Sequence, residues 1–149
     1  MGSKRKAAQS IYEKDFIKWV EKQAALLKSR DFLHLDLENL IEEIESLGRS
    51  DRRALKSHLI ILLHHLLKRH FLPEMKKNSN SIENARIGIK LILEDSPSLN
   101  IKLNSMIESA YPFAVKAAAA ETEMDVSCFP EECPWTKEEI LDVKKKRQR

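Results

Sequence analysis

The stretch 36-DLENLIEEIESLGRSDRRALKSHLIILLHHLLKRH-70 decides the fold. Leu37, Leu40, Ile41, Ile44 and Leu47 recur at the three- and four-residue spacing of one helical stripe, and Leu55, Leu59, Leu62, Leu63 and Leu66 do so again. Between the two stripes lie Gly48 and Ser50. A glycine just past a helix closes it with a left-handed backbone at little strain, and a serine caps the start of the next one. The spacing therefore predicts two helices, one over 37–47 opening at Asp36 and one from Ser50 to about His70, where Pro73 stops it.

The same reading extends in both directions. Tyr12, Phe16, Trp19, Val20, Leu26 and Leu27 mark a helix over 11–28, and Ser29 to Leu35 connects it to Asp36. Beyond a polar loop at Lys76 to Ser81, Ile82, Ala85, Ile89, Ile92 and Leu93 mark a fourth helix. Ser96-Pro97 is a start signal for a fifth, carrying Leu99, Leu103, Met106, Ile107 and Tyr111. Pro112 is expected to kink it, and alanines 117–120 to sustain it at close helix–helix distance. Cys128 to Pro134 reads as irregular, and Thr136 with Glu139 forms a capping-box pair opening a short last helix to Val143.

The expectation is thus an all-α, single-domain bundle of about five longer helices and a short C-terminal one. With only three glycines in 149 residues, a turn-rich sheet protein is disfavoured. No apolar run approaches the roughly eighteen residues of a membrane span, so no membrane association is expected and a cytoplasmic protein is. Two cysteines, Cys128 and Cys133, cannot build a secreted disulfide framework.

The net charge of +3 conceals an asymmetry. Residues 1–10 hold three basic residues and 144–149 hold five, with no acid in either stretch, leaving 18 basic against all 23 acidic residues in 11–143. The folded body, expected over 11–143, is acidic, and both flexible tails are basic. Lys144, Lys145, Lys146, Arg147 and Arg149 form a run able to hold nucleic-acid phosphates, or to serve as an import address in the nucleus of a eukaryotic host if the protein is delivered there. A solubilising tail is the plainer alternative.

Several stretches also resemble a bacterial family catalogued as domain of unknown function number twenty-nine. They are Tyr12 to Leu27 with its Gln23-Ala24-Ala25-Leu26-Leu27 run, the block Leu35 to Ser50, His65-Leu66-Leu67-Lys68, Asp95-Ser96-Pro97-Ser98-Leu99 and Phe129-Pro130-Glu131-Glu132-Cys133-Pro134. The resemblance covers about 12–142, and implies an all-helical fold and a bacterial origin. It carries no activity and no functional residues.

Three constellations remain. Glu38, Glu42 and Glu45 share one flank of their helix and repel one another, so a metal, a basic partner, or Arg52 and Arg53 is expected to offset them. A solvated, internally paired face is the plainer reading. Four of the five histidines, His58, His64, His65 and His70, lie on the next helix, with His58 and His65 about 20° apart around it and Arg69 nearby. If the two helices pack antiparallel, those carboxylates and imidazoles have the chemistry to bind zinc or iron, although hydrogen-bonded boundary histidines are commoner. Arg53 and His58 also form an Arg-x4-His spacing that resembles the motif of HEPN ribonucleases, helical bundles in which such residues of paired subunits assist RNA cleavage. Ala54 departs from the polar residue usual there, and five helical steps separate the two side chains by about 140°.

No phosphate loop, nucleophile elbow or dinucleotide fingerprint is present, and no cofactor is expected. The reading is a non-catalytic helical module that binds a protein partner, its basic tails adding weak nucleic-acid affinity. The alternative is a metal-dependent or HEPN-like RNA-cleaving enzyme using His58, His65, Arg53 and Arg69 with the glutamate face.

Overall fold

The computed structural model describes residues 10–72 and 79–143. Among them are six α-helices, three short 3-10 segments and no strand: α1 (Ile11–Lys14), α2 (Phe16–Lys28), α3 (Leu37–Phe71), α4 (Ser79–Asp95), α5 (Leu103–Thr122) and α6 (Lys137–Leu141). The all-α expectation holds. The basic residues Lys4, Arg5, Lys6 and Lys144 to Arg149, and the helix stop at Pro73, lie outside the described residues.

Five boundaries differ from the sequence reading. Two are small shifts at helix ends: α4 already begins at Ser79, inside the expected polar loop, and the last helix ends at Leu141 and not at Val143. The expected break at Gly48 is absent, and residues 37–71 form one 35-residue helix. No described glycine takes a positive φ, so Gly48 does not supply the left-handed turn that would have ended the helix. A mid-helix glycine costs only about 1 kcal/mol, which long helix-forming stretches on both sides offset. The first helix divides instead at Asp15, whose backbone leaves the helical region while its carboxylate accepts the Lys18 N–H at 3.1 Å. From Pro97 to Lys102, six residues wind as 3-10 helix before α5 begins, and α5 then runs through Pro112. That proline and Glu108, whose carbonyl it leaves without a helical donor, are both exposed, so water can satisfy the carbonyl.

Helix ends are closed by other residues. Arg30, Glu123 and Asp142 adopt φ of 62°, 56° and 54° just past α2, α5 and α6. Half of the expected capping box forms, the Glu139 N–H donating to Thr136 Oγ1 at 3.2 Å.

The chain divides into two compact units, residues 1–48 and 49–149. In the first, α1 and α2 run antiparallel to the start of α3. Tyr12 donates its hydroxyl proton to Glu43, Trp19 Nε1 donates to Asp36 Oδ2 at 3.0 Å, and Gln23 Oε1 accepts the Asp36 N–H at 2.8 Å. Tyr12, Phe16 and Trp19 pack as an aromatic trio, with Tyr12 edge-on to both others. Among the described residues of this unit, Trp19 and Gln23 are the buried ones.

The second unit has a continuous core. Leu55, Leu59, Leu62, Leu63 and Leu67 of α3 are fully buried against Ile82 and Ile89 of α4 and Leu103, Ile107 and Val115 of α5. Ala110, Ala114 and Ala118 form a fully buried stripe that lets α5 approach closely. The alanine expectation shifts accordingly: Ala118 and Ala119 are buried, whereas Ala120 is exposed.

Candidate interaction face and the histidine helix

A side chain's direction on a helix follows from 100° per residue, so the first unit's contact line fixes all the rest. On α2 that line passes through Trp19 and Gln23. Turning one way from it by roughly 40° to 140° meets Phe16, Leu27, Val20 and Ile17, and turning the other way meets Lys22 and Lys18. On α3 the line passes through Asn39 and Glu43. Turning one way meets Leu47, Ile44 and Leu37, turning the other meets Glu42, Glu38 and Glu45, and Ile41 stands opposite the line, next to Leu37 at the outer border of the apolar side. Because the helices run antiparallel, the same turn on each leads to the same side of the pair. One side of this hairpin is therefore apolar and the other charged.

The apolar side is open. Phe16, Ile17, Val20 and Leu27 are 39–65% exposed, and Leu37, Ile41, Ile44 and Leu47 are 53–69% exposed. On the charged side, the glutamates Glu38, Glu42 and Glu45 share a face with the α2 lysines, and Glu42 and Glu45 are each engaged by a neighbour. The Tyr12 hydroxyl is pushed up to about 12, its hydrogen bond to the Glu43 carboxylate being the main cause.

In the second unit the histidines of α3 have separate surroundings. His58 lies against α4, where a Cβ added at Gly88 would stand 2.7 Å from its Cε1 atom. Only a glycine lets the imidazole rest there. His65 is stacked on His64 with ring centres 4.9 Å apart. Burial lowers its pKa, and the charges of His64 and Lys68 lower it further. His70 meets Trp135 edge-on at 6.0 Å. Arg53 and Arg69 are exposed.

Sequence reasoning missed the residue that organises this helix. Glu121 of α5 accepts from Lys68 Nζ at 2.7 Å and lies 2.6 Å from His64 Nε2. Its carboxyl is held below the usual range chiefly by the Lys68 hydrogen bond, with the Lys68 and His64 charges adding to it. Lys68 is buried, so without Glu121 its ammonium would be uncompensated. His64 and Lys68 sit four apart on one helical face, a signal readable in the sequence, but their distant acid was not.

The candidate metal set is not gathered. Among the described residues no group of three or more His, Cys, Asp or Glu side chains is placed to hold a metal ion. Glu38, Glu42 and Glu45 precede Gly48 and His58 and His65 follow it on one unbroken helix, so the turn that was to fold one stretch back on the other is not there. A further feature escaped the sequence. A groove of about 780 Å³ is lined by Glu108, Glu131, Glu132 and Glu138 beside Tyr111 and Trp135. The Tyr111 hydroxyl donates to the Pro130 carbonyl at 2.8 Å, and burial, with Cys133 adding, pushes it up to about 12.

The family model described as domain of unknown function DUF29 matches residues 11–144, nearly the whole chain. The chain belongs to the DUF29 family. The DUF29 match takes in the open apolar face and the histidine helix alike, and of the basic C-terminal run it includes Lys144 alone. No curated protein and no solved structure matches the chain. No described helix of this DUF29 protein is long and apolar enough to cross a membrane.

Proposed function

We propose that this DUF29 protein is a non-catalytic protein-interaction module of the bacterial cytoplasm, binding through the apolar side of α2 and the start of α3. One observation carries this reading: eight large apolar side chains stand 39–69% exposed on one side of the hairpin and its outer border. Isolated surface leucines are ordinary, but a contiguous apolar patch of this extent marks a binding surface. The basic ends add weak, salt-sensitive affinity for nucleic acid.

The test is quantitative cross-linking in cell extract, comparing the natural chain with an Ile41→Asp, Ile44→Asp variant. Cross-links concentrated on residues 16–47 and lost in the variant are expected. Cross-links indifferent to both substitutions would refute the reading. Deleting 144–149 should weaken duplex binding and leave the helical signal unchanged, and removing residues 1–9 as well should abolish the binding.

The RNA-cleaving alternative draws on one feature, the His64–His65 stack with its lysine and carboxylate neighbours. A histidine kept neutral at physiological pH can act as a general base. Ribonuclease activity that disappears in His65→Ala would favour this reading over the first.

A further inference from the structure

The first unit is half of a core. Its 48 residues bury one apolar side chain, Trp19, among those described, while the hydrophobic stripes of both helices face outward. Helices are stable in water mainly through burial of such stripes. The missing layer must match a surface two helices wide, with apolar positions recurring every three or four residues along each helix. A single foreign helix would cover about half of it, whereas another antiparallel helix pair covers all of it and completes a four-helix arrangement.

The area agrees. Eight large apolar side chains, each 39–69% exposed, present a surface on the order of the roughly 800 Å² that each partner contributes to a stable specific interface. A surface of this width and composition, present once on every chain, finds its match on the next chain. Resting on the interaction-module reading above, we infer that the apolar face closes on the same face of a second copy, giving an isologous homodimer with a four-helix core.

In this dimer Phe16, Val20, Ile41 and Ile44 lie against apolar side chains of the other copy, and the glutamate and lysine side stays in water. A carboxylate placed at Ile41 or Ile44 would be buried without a partner, a strongly unfavourable state. Lys22 lies on the opposite side, so reversing its charge leaves the interface intact.

Sedimentation equilibrium of the full chain, from about 1 to about 200 µM, decides the matter, because association is governed by mass action. Twice the 17.3 kDa of one chain is expected for the natural protein and for Lys22→Glu. In Ile41→Asp, Ile44→Asp the dissociation constant should rise by at least about a hundredfold. If that variant loses its far-UV helical signal, Ile44→Ala serves instead, with an expected rise of about tenfold.

A natural chain that stays monomeric throughout overturns the dimer, as does a dimer indifferent to the substitutions. The cross-linking experiment is read independently. A monomer whose cross-links to other proteins still depend on Ile41 and Ile44 refutes self-association alone, and loss of that dependence refutes the module reading too. A monomer in which the face is shielded from an apolar dye would mean that this chain covers it itself, which also overturns the proposal.

Discussion

The two halves of α3 use the same residue types to opposite ends. From 55 to 67 its leucines are buried, five of them completely, whereas from 37 to 47 Leu37, Ile41, Ile44 and Leu47 are all more than half exposed. The hydrophobic spacing is equally regular in both halves. What differs is the supply of neighbours: the second unit brings α4, α5 and the 129–140 segment against its leucines, and the first brings one helix pair. Amphipathic periodicity names the face a helix must bury, and tertiary neighbours decide whether that burial happens within the chain.

The widest separation between the halves should come from truncating their apolar residues. Leu63→Ala is expected to lower the unfolding free energy by about 2–5 kcal/mol in urea titration, since it empties a closed core. Ile44→Ala in dilute, dissociated chain should change it by no more than about 0.5 kcal/mol. Equal costs would erase the contrast. If the face closes between copies, the cost of Ile44→Ala grows with protein concentration while that of Leu63→Ala does not.

A second test sharpens the packing of the closed half. Gly88→Ala alone should destabilise by about 1–3 kcal/mol, because His58 must leave its place. In a His58→Ala background the same change should stabilise by about 0.5–1 kcal/mol, as alanine does in a free helix interior. Simple additivity between the two would mean that the imidazole does not rest there.

In the open half, Tyr12→Phe should cost about 0.5–1.5 kcal/mol and speed amide hydrogen exchange in 37–47 but not in 55–67. Uniform acceleration would show the contact serving the whole chain.

The smallest effect is one of pH. His65 has a folded pKa below its ordinary 6.5, so below that pH the unfolded chain binds more protons than the folded one. Stability is therefore complete above 6.5 and declines as pH falls through the folded value. Glu121, also lowered, adds a second decline beginning near 4.5. His65→Gln should remove the first decline from a plot of Tm against pH and leave the second.

The helical class, most helix positions and the inner stripe of leucines were all legible in the sequence, because periodicity is a local property. The Gly48 break was misjudged because a glycine signals both a helix end and a tolerated interior cost, and only the backbone angle tells them apart. The open face was legible as a stripe but not as open, since exposure depends on what else packs there. Glu121 was illegible as the partner of His64 and Lys68, because it lies more than fifty residues away on a helix whose rotation no local pattern fixes. The segment after Cys128 is irregular, as its prolines Pro130 and Pro134 suggest, although Cys128 itself ends a 3-10 turn, and nothing local placed Glu131 and Glu132 beside Glu108.

The chain has two tryptophans, and they fall one to each unit. Trp19 is buried with its indole N–H bonded to a carboxylate, whereas Trp135 is half-buried against His70. Their emission should therefore differ in wavelength, and replacing either with phenylalanine leaves a fluorophore that reports on one unit alone. The molecule carries a built-in pair of optical probes, with which melting of the half-core and of the complete core can be followed separately in the same solution.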